Sequence, residues 1–455
     1  MAGSSYQDRL LRAIPGGAHT YSRGYDQYPK NAPQILSRGK GVYIYTPEDE
    51  EFLDYGMALR AVNIGYAEDQ IDRAAIKQIG FGNNLTRPSM VELEAAELLV
   101  DLIDSVEMVK FTKNGSTAVT AAVKLARAFT GRDIVVRCQD HPFFSFDDWF
   151  ISSTPITRGI PQETIKYTKS FIYNDINSLR QVIDENNGQI ACLVMEPATS
   201  VCPANREGDK TCCDAGFCES VLKKIDGNFL QQVQKICNDN GIVFILDEMI
   251  TGFRWHLKGA QHVYGIKPDL STFGKAMANG YSVSCVAGKR EIMELGSIEK
   301  KGEERVFLLS TTHGAEMNSL GAFIETVDFI QQNDTINHLW SYGEKLSEGI
   351  NKIASRYEIS DHFKVIGPSC SPTFQTLDIT GKPSYSLRTL FMQEMVKSGV
   401  LMPWLALSHH HRKGELLKTL HAVDKSLSVY KKALESDVIN FLEGPEIKPV
   451  FRKHN

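Results

Sequence analysis

The 455-residue sequence has no apolar run long enough to cross a membrane, and its longest hydrophobic stretches, such as IVFIL at 242–246, are only strand-sized. Its opening, MAGSSYQDRLLRAIPGG, lacks the apolar core of a signal peptide, so the cytoplasm is the expected location. Positive charge is not in excess. Fifty Lys and Arg stand against 55 Asp and Glu, a formal net charge of −5, so no basic surface argues for nucleic acid or an anionic membrane as a partner. Cysteine is sparse and odd in number, nine in all, which fits reduced thiols and argues against a disulfide framework. Four of them, Cys202, Cys212, Cys213 and Cys218, crowd into CPANREGDKTCCDAGFC. That segment has no CxxC pair and no nearby histidine, so it reads as an exposed inserted loop and not as a zinc site.

Several catalytic templates are missing too. GFGNNL at 80–85 has leucine where the last glycine of GxGxxG belongs, and neither GxxxxGK[ST] nor GxSxG occurs. Three adjacent histidines, His409 to His411, cannot all face one ion on a regular element, so no metal is expected there, and contact of one of them with substrate is the favoured role. No internal repeat or low-complexity tract is present.

What is present is a globular composition, 42% hydrophobic and 23% charged, in a chain too long for one ordinary core. Strand and helix patterns alternate. MVELEAAELLVDLI is helical, EMVKFT a strand, and STAVTAAVKLARAFTG a helix ending at Gly131. DIVVRC, IACLVMEP and IVFILDE follow as strands, with FLQQVQKICNDNG a helix closed by Gly241. This rhythm predicts an α/β fold with a mostly parallel sheet flanked by helices. Beyond residue 315 the pattern turns mostly helical and is expected to leave the large domain. The expected division is 1–60 and 330–455 in a smaller α+β domain drawn from both termini, with 61–329 as the large domain.

Ligands of open parallel sheets bind at the carboxyl ends of the strands, so the residues just after each strand carry the most information. After EMVKFT comes KNGSTA, where Gly115 lets the backbone turn closely and Ser116 begins a helix. Free amides and a hydroxyl at a helix N-terminus suit a phosphate, although an ordinary N-cap explains the serine as well. After IVFIL comes Asp247, a carboxylate at the end of a buried strand that needs a partner, whether a cation, a helix or a ligand. After PDLSTF comes FGKAMANG, where Lys275 stands among small uncharged residues. Partial desolvation would make its amine a nucleophile toward carbonyl groups; a surface lysine is the plainer alternative. A phosphate cradle, a carboxylate that can hold a protonated ring nitrogen and an amine that can form a Schiff base are together what pyridoxal 5′-phosphate requires.

The stretches FTKNGSTAVTAAVKLARAFTGRD, IVFILDEMITGFRW, PDLSTFGKAMANGYSVSCVAGKREIM and STTHGAEMNSLGA resemble the class III pyridoxal-phosphate aminotransferases of fold type I, and most of all the branch with glutamate-1-semialdehyde 2,1-aminomutase. RAIPGGAHTYSRG and GKGVYIYTPEDEEFLDY are similar to the N-terminal segment and first hairpin of that branch. The resemblance covers nearly the whole chain, and DEMITGFR with the Gly-Lys pair 28 residues after Asp247 is its most specific part. It implies that Lys275 carries the cofactor as an internal aldimine and shuttles the substrate proton, while Asp247 keeps the pyridinium nitrogen protonated. Gly115 and Ser116 would bind phosphate and Met249 would pack on one ring face. Phe143 in DHPFFSFDDWF is placed on the other face, with His141 as the alternative under a different gap, and Phe143 and Phe144 as plain core packing. Thr311 or Thr312 in STTHGAE matches a threonine that reaches phosphate from the neighbouring subunit, which implies a homodimer with shared active sites. Arg23 lines up with an arginine that binds substrate carboxylate.

The implied reaction moves an amino group between a small-molecule donor and a carbonyl acceptor. AMANGYSVS replaces the glycine-rich segment that follows the aminomutase lysine, and the 202–218 insertion is absent from the compact aminomutase pattern. Both features favour a transaminase acting on a small aldehyde or ketone, sugar-like compounds among them, with the aminomutase as runner-up. A non-catalytic binding protein of the same fold is the third reading. Retention of Lys275 and the lack of a basic appendage count against it.

Overall fold

The computed structural model describes residues 5–204, 227–314 and 316–455. The chain divides into two compact units, one of residues Asp69–Asn337 and one assembled from Met1–Glu68 with His338–Asn455.

The central unit is built on seven strands: β1 Met108–Thr112, β2 Ile134–Cys138, β3 Thr168–Phe171, β4 Ile190–Met195, β5 Val243–Asp247, β6 Leu270–Phe273 and β7 Ser284–Gly288. Their order in the sheet is β1-β7-β6-β5-β4-β2-β3. Every pairing is parallel except those of β7, which runs antiparallel to both β1 and β6. β4 and β5 are buried along their whole length, as strands covered on both faces must be.

Among the described residues six longer helices accompany the sheet: α1 Asp69–Gly80, α2 Met90–Leu102, α3 Gly115–Thr130, α4 Ile176–Glu185, α5 Phe229–Asn240 and α6 Met317–Gln332. α3 and α5 close on Gly131 and Gly241 in the left-handed conformation, where a side chain would be strained. α3 packs across the sheet, and eight of its residues are buried. α6 lies against α1, close enough that a Cβ on Gly321 would come within 2.7 Å of Gln78 Cγ and 3.2 Å of the Ala74 carbonyl oxygen. The helical run beyond residue 315 thus begins inside this unit.

The terminal unit holds a four-stranded sheet of Arg38–Lys40, Tyr43–Tyr45, Glu51–Asp54 and Val400–Leu401, together with a two-stranded ribbon of Phe363–Ile366 and Thr373–Thr376. Helices Tyr385–Lys397 and Lys413–Leu434 pack on each other within it. Met57, Ala58, Leu59 and Arg60 all have positive φ, at 40°, 48°, 62° and 67°. A left-handed turn without glycine costs about 1–2 kcal/mol per residue, so its surroundings must impose it. Asp54 does so: its carboxylate accepts the amides of Gly56 at 2.6 Å and Met57 at 2.9 Å and the Tyr66 hydroxyl at 2.7 Å, while Tyr66 in turn accepts the Ala58 amide.

Among the described residues all six cysteines are free thiols and buried. Cys202 is one of them, and its carbonyl oxygen accepts a hydrogen bond from Asn174 Nδ2 at 3.0 Å. The exposed loop expected from 202 therefore does not begin at this residue, which packs inside; Cys212, Cys213 and Cys218 lie outside the described residues. The three adjacent histidines face three ways. His409 meets Arg412, His410 Nε2 lies 2.7 Å from Glu68, and His411 stacks on Tyr55 with ring centroids 4.5 Å apart.

Candidate active site

Three strand ends of the central sheet converge through one side chain. Met249 stands two residues beyond β5, and its thioether fills the space between the start of α3 and the turn after β6. A Cβ on Gly115 would come within 2.9 Å of Met249 Sδ, and one on Gly274 within 2.6 Å of the same sulfur and 2.4 Å of Ser284 Oγ. Both glycines thus lie in close approach to Met249, which brings the α3 N-terminus, Met249 and the residue before Lys275 into one small volume.

At the first of these ends, Asn114 is the N-cap, its Oδ1 accepting the Thr117 amide at 3.0 Å. The cap expected of Ser116 thus falls two residues earlier, because the helix already begins at Gly115. Ser116 sits in the first turn, where its Oγ accepts the Phe146 amide at 3.2 Å and keeps its own hydrogen to donate. The cap side chain satisfies Thr117, so the amides of Gly115 and Ser116 remain for an anion.

At the second, Asp247 is buried and accepts the Met249 amide at 2.9 Å and the Thr272 hydroxyl at 3.1 Å. Both bonds fall on Oδ1, which leaves Oδ2 for a cationic or N–H partner. Burial is the main cause that lifts its pKa to about 6; the Met249 amide, the Lys275 charge and the Thr272 hydroxyl pull it down, and Glu248 pushes it up. Thr272 was not legible as a site residue, since it becomes Asp247's partner only through the β5–β6 register, which pairs the two residues. Glu248 is a contrast: equally buried, it is spent on Thr251, the amides of Ala260 and Gln261, and the Gln261 side chain.

At the third, Lys275 follows β6 with φ of 45°, a left-handed position rare for lysine and of the kind that collects at functional sites. It is half-buried and opens a short 3-10 turn, Lys275–Ala278, whose other residues are buried. Its charge is felt at Asp247.

The remaining expected residues are placed as follows. Phe144 is core, with Phe150 edge-on at 5.7 Å, whereas Phe143 is 45% exposed. His141 is buried at the carboxyl end of β2, and Glu196, which follows β4, gives its amide to His141 Nδ1. Thr311 and Thr312 are exposed, the Thr312 carbonyl held by Asn84 Nδ2 at 2.9 Å. Arg23 belongs to the terminal unit, where it is exposed at the end of a 3-10 turn. There its charge opposes the burial and the Asp54 charge that push the Tyr28 hydroxyl up to about 12.

Residues 25–404 match the sequence profile of the family described as aminotransferase class-III. The chain belongs to that family. Similar proteins include glutamate-1-semialdehyde 2,1-aminomutase of Francisella philomiragia, 27% identical over 86% of this chain and 89% of that protein. Another is 3-aminobutyryl-CoA aminotransferase of Cloacimonas acidaminovorans, 29% identical over 94% of this chain and 97% of the relative. Among solved structures, the pyridoxal-phosphate internal aldimine form of the FumI protein of Sphingopyxis sp. MTA144 superposes with a TM-score of 0.81 at 25% identity, covering 95% of this chain and 97% of that one.

This class III chain is accordingly an enzyme, a pyridoxal-phosphate-dependent aminotransferase or aminomutase of fold type I. The residues present fit the cofactor on structural grounds: a helix start with free amides and no side chain at Gly115, a buried carboxylate with one oxygen left over, and an amine within its field. Among the described residues no group of three or more potential ligands could hold a metal ion, and no helix is long and apolar enough to cross a membrane.

Proposed function

We propose that this class III enzyme is an intermolecular transaminase, taking an amino group from a donor amino acid and giving it to a small aldehyde or ketone, sugar-like carbonyl compounds among them. The observation that carries the reading is the segment after Lys275. An aminomutase must keep its half-converted molecule from escaping, which calls for a mobile gate, whereas a transaminase releases one product before admitting the next substrate. Here the segment is tied down: the Tyr281 hydroxyl donates to Asp72 Oδ1 at 2.8 Å and Ser282 Oγ to the Lys113 carbonyl at 2.7 Å. The aminomutase reading is kept as the second because relatives such as the Francisella protein bear that name.

Bound pyridoxal phosphate supplies an electron sink conjugated to the carbon that loses or gains the amino group. The chain supplies the rest. The Gly115 and Ser116 amides and the Ser116 hydroxyl bind the phosphate, Asp247 Oδ2 keeps the proton on the ring nitrogen, and Met249 and Phe143 pack on the two ring faces. Lys275 Nζ would remove the proton from the donor's carbon in one half-reaction and deliver a proton to the acceptor's carbon in the other. Arg23 holds the donor carboxylate by a bidentate contact.

The proposed assembly is a homodimer in which Thr311 or Thr312 of one subunit reaches the phosphate held by the other. In support, both threonines are exposed in the single chain, and Ile76, Ile79, Phe81, Leu85, Met90 and Leu93 are each half or more exposed, an apolar surface that a lone soluble subunit would not leave bare. The test is the half-reaction. Glutamate alone should convert the bound cofactor to its amine form and release one equivalent of the free oxo-acid. If no amino acid does this while glutamate-1-semialdehyde is isomerised without any donor, the aminomutase reading replaces this one.

A further inference from the structure

The His141 imidazole, at the carboxyl edge of the central sheet beside the buried Glu196, carries a buried nitrogen that finds no hydrogen-bond partner among the described residues. His141 is only 1% exposed. Its Nδ1 accepts the Glu196 amide at 3.0 Å, so the hydrogen of the neutral ring sits on Nε2. Burial, reinforced by the nearby Arg137 charge, holds the imidazole pKa down at about 3, and the ring stays neutral at working pH. Among the described residues Nε2 finds no hydrogen-bond partner. A buried N–H left unmet costs stability that an apolar residue would not, so its retention points to an acceptor that arrives with a ligand.

Strand register says which ligand. β4 and β5 pair Met195 with Leu246, so Glu196 stands beside Asp247 along the same edge. β2 pairs with β4 on the far side, and His141, three residues past β2, is held there by the Glu196 amide. Along that edge the α3 N-terminus lies on one side of Asp247, after β1, and His141 on the other. In pyridoxal phosphate the phosphate arm and the phenolic 3-oxygen lie on opposite sides of the axis through the ring nitrogen. With the nitrogen at Asp247 and the phosphate at α3, the 3-oxygen faces the His141 side. Phe144, 6.1 Å from His141 and edge-on, and Tyr173, at 5.1 Å, wall the imidazole in, and the Tyr173 hydroxyl donates instead to the Pro197 carbonyl.

We propose that His141 Nε2–H donates a hydrogen bond to the 3-oxygen of the bound cofactor, which makes His141 a cofactor-binding residue by its edge and not a stacking ring. The assignment holds for a transaminase and an aminomutase alike. A donor on this oxygen stabilises its anionic form, so losing the donor raises the pH at which the cofactor's visible band changes.

The experiment is a pH titration of that band in the cofactor-loaded protein. His141→Phe keeps a ring but removes the donor, and its transition should move upward by about one pH unit, a tenfold change in proton affinity, with faster loss of cofactor on dilution. His141→Gln, which restores an N–H, should titrate nearer to wild type. A His141→Phe protein that titrates and holds cofactor like wild type overturns the proposal. Should the variants fail to fold, nitrogen-15 NMR of the wild-type protein decides: the Nε2 proton should move downfield on cofactor loading. A proton that moves only when substrate is added, or not at all, contradicts it.

Discussion

Asp54 in the terminal unit and Asp247 in the central one are built alike. Each is buried, ends a strand, and folds back to accept the amide two residues on. The difference lies in what remains. Asp54 uses both oxygens, giving Oδ1 to Gly56 and Oδ2 to Met57 and Tyr66, whereas Asp247 receives both of its bonds on Oδ1. Burial raises the pKa of both, and hydrogen bonds oppose it in both. One carboxylate is therefore consumed in imposing a strained left-handed turn, and the other receives its hydrogen bonds among the described residues on Oδ1 alone, within the field of the Lys275 charge.

Replacing each in turn should break the likeness. Asp247→Asn should cut amino transfer a hundredfold or more, the scale of losing a preorganised electrostatic partner, while the protein still folds and retains cofactor; steady-state rates with absorption spectra check this. Asp54→Asn should do the reverse in kind, lowering unfolding stability by roughly 1–3 kcal/mol in a urea titration, since an amide cannot accept all three bonds that hold the turn.

The pH dependence of the cofactor-free protein sharpens the contrast. Asp247 has a folded-state pKa of about 6 against 3.8 for an unperturbed carboxyl, so between those values the folded state binds more protons than the unfolded one. Its contribution therefore makes stability fall as pH rises from about 4 to about 6. Cofactor-free Asp247→Asn should be more stable than wild type by roughly 2–3 kcal/mol at pH 7, with the difference gone near pH 4. Denaturant titrations at the two pH values measure it.

Smaller effects are expected from the groups around each carboxylate. Gly274→Ala drives a Cβ into Ser284 and Met249 and should weaken cofactor binding more than Gly115→Ala, whose Cβ meets chiefly the movable end of Met249; cofactor dissociation measured by dialysis ranks the two. Arg23→Ala should raise the donor concentration needed by about tenfold without changing bound cofactor, read from KM against the cofactor spectrum.

Much of the central unit was legible because local signals agree with it. Periodicity marks the strands and helices, and Gly131 and Gly241 mark helix ends by the backbone conformation they alone adopt cheaply. Asp247, Lys275 and Gly115 stood out because each follows an apolar strand. What stayed hidden depends on partners far away in sequence. β7 is buried along its whole length, as the parallel strand β6 beside it is, so nothing in SCVAG tells antiparallel from parallel. Thr272 meets Asp247 only through register, and Asn114 takes the N-cap role that was the plain alternative for Ser116. The left-handed turn at Met57–Arg60 carries no glycine, because Asp54 and Tyr66 impose it from outside. His141 could be named as a ring near the cofactor, but its unmet Nε2 emerges only once Glu196 is seen to occupy Nδ1.

The most direct test of the account is to find the lysine that holds the cofactor. The loaded protein is treated with borohydride, which makes the attachment permanent, and its peptides are then mapped by mass spectrometry. The cofactor's mass should appear on the peptide that contains Lys275. Its appearance on any other lysine would contradict the assignment of Lys275, and with it the active site built around Asp247, Met249 and Gly115.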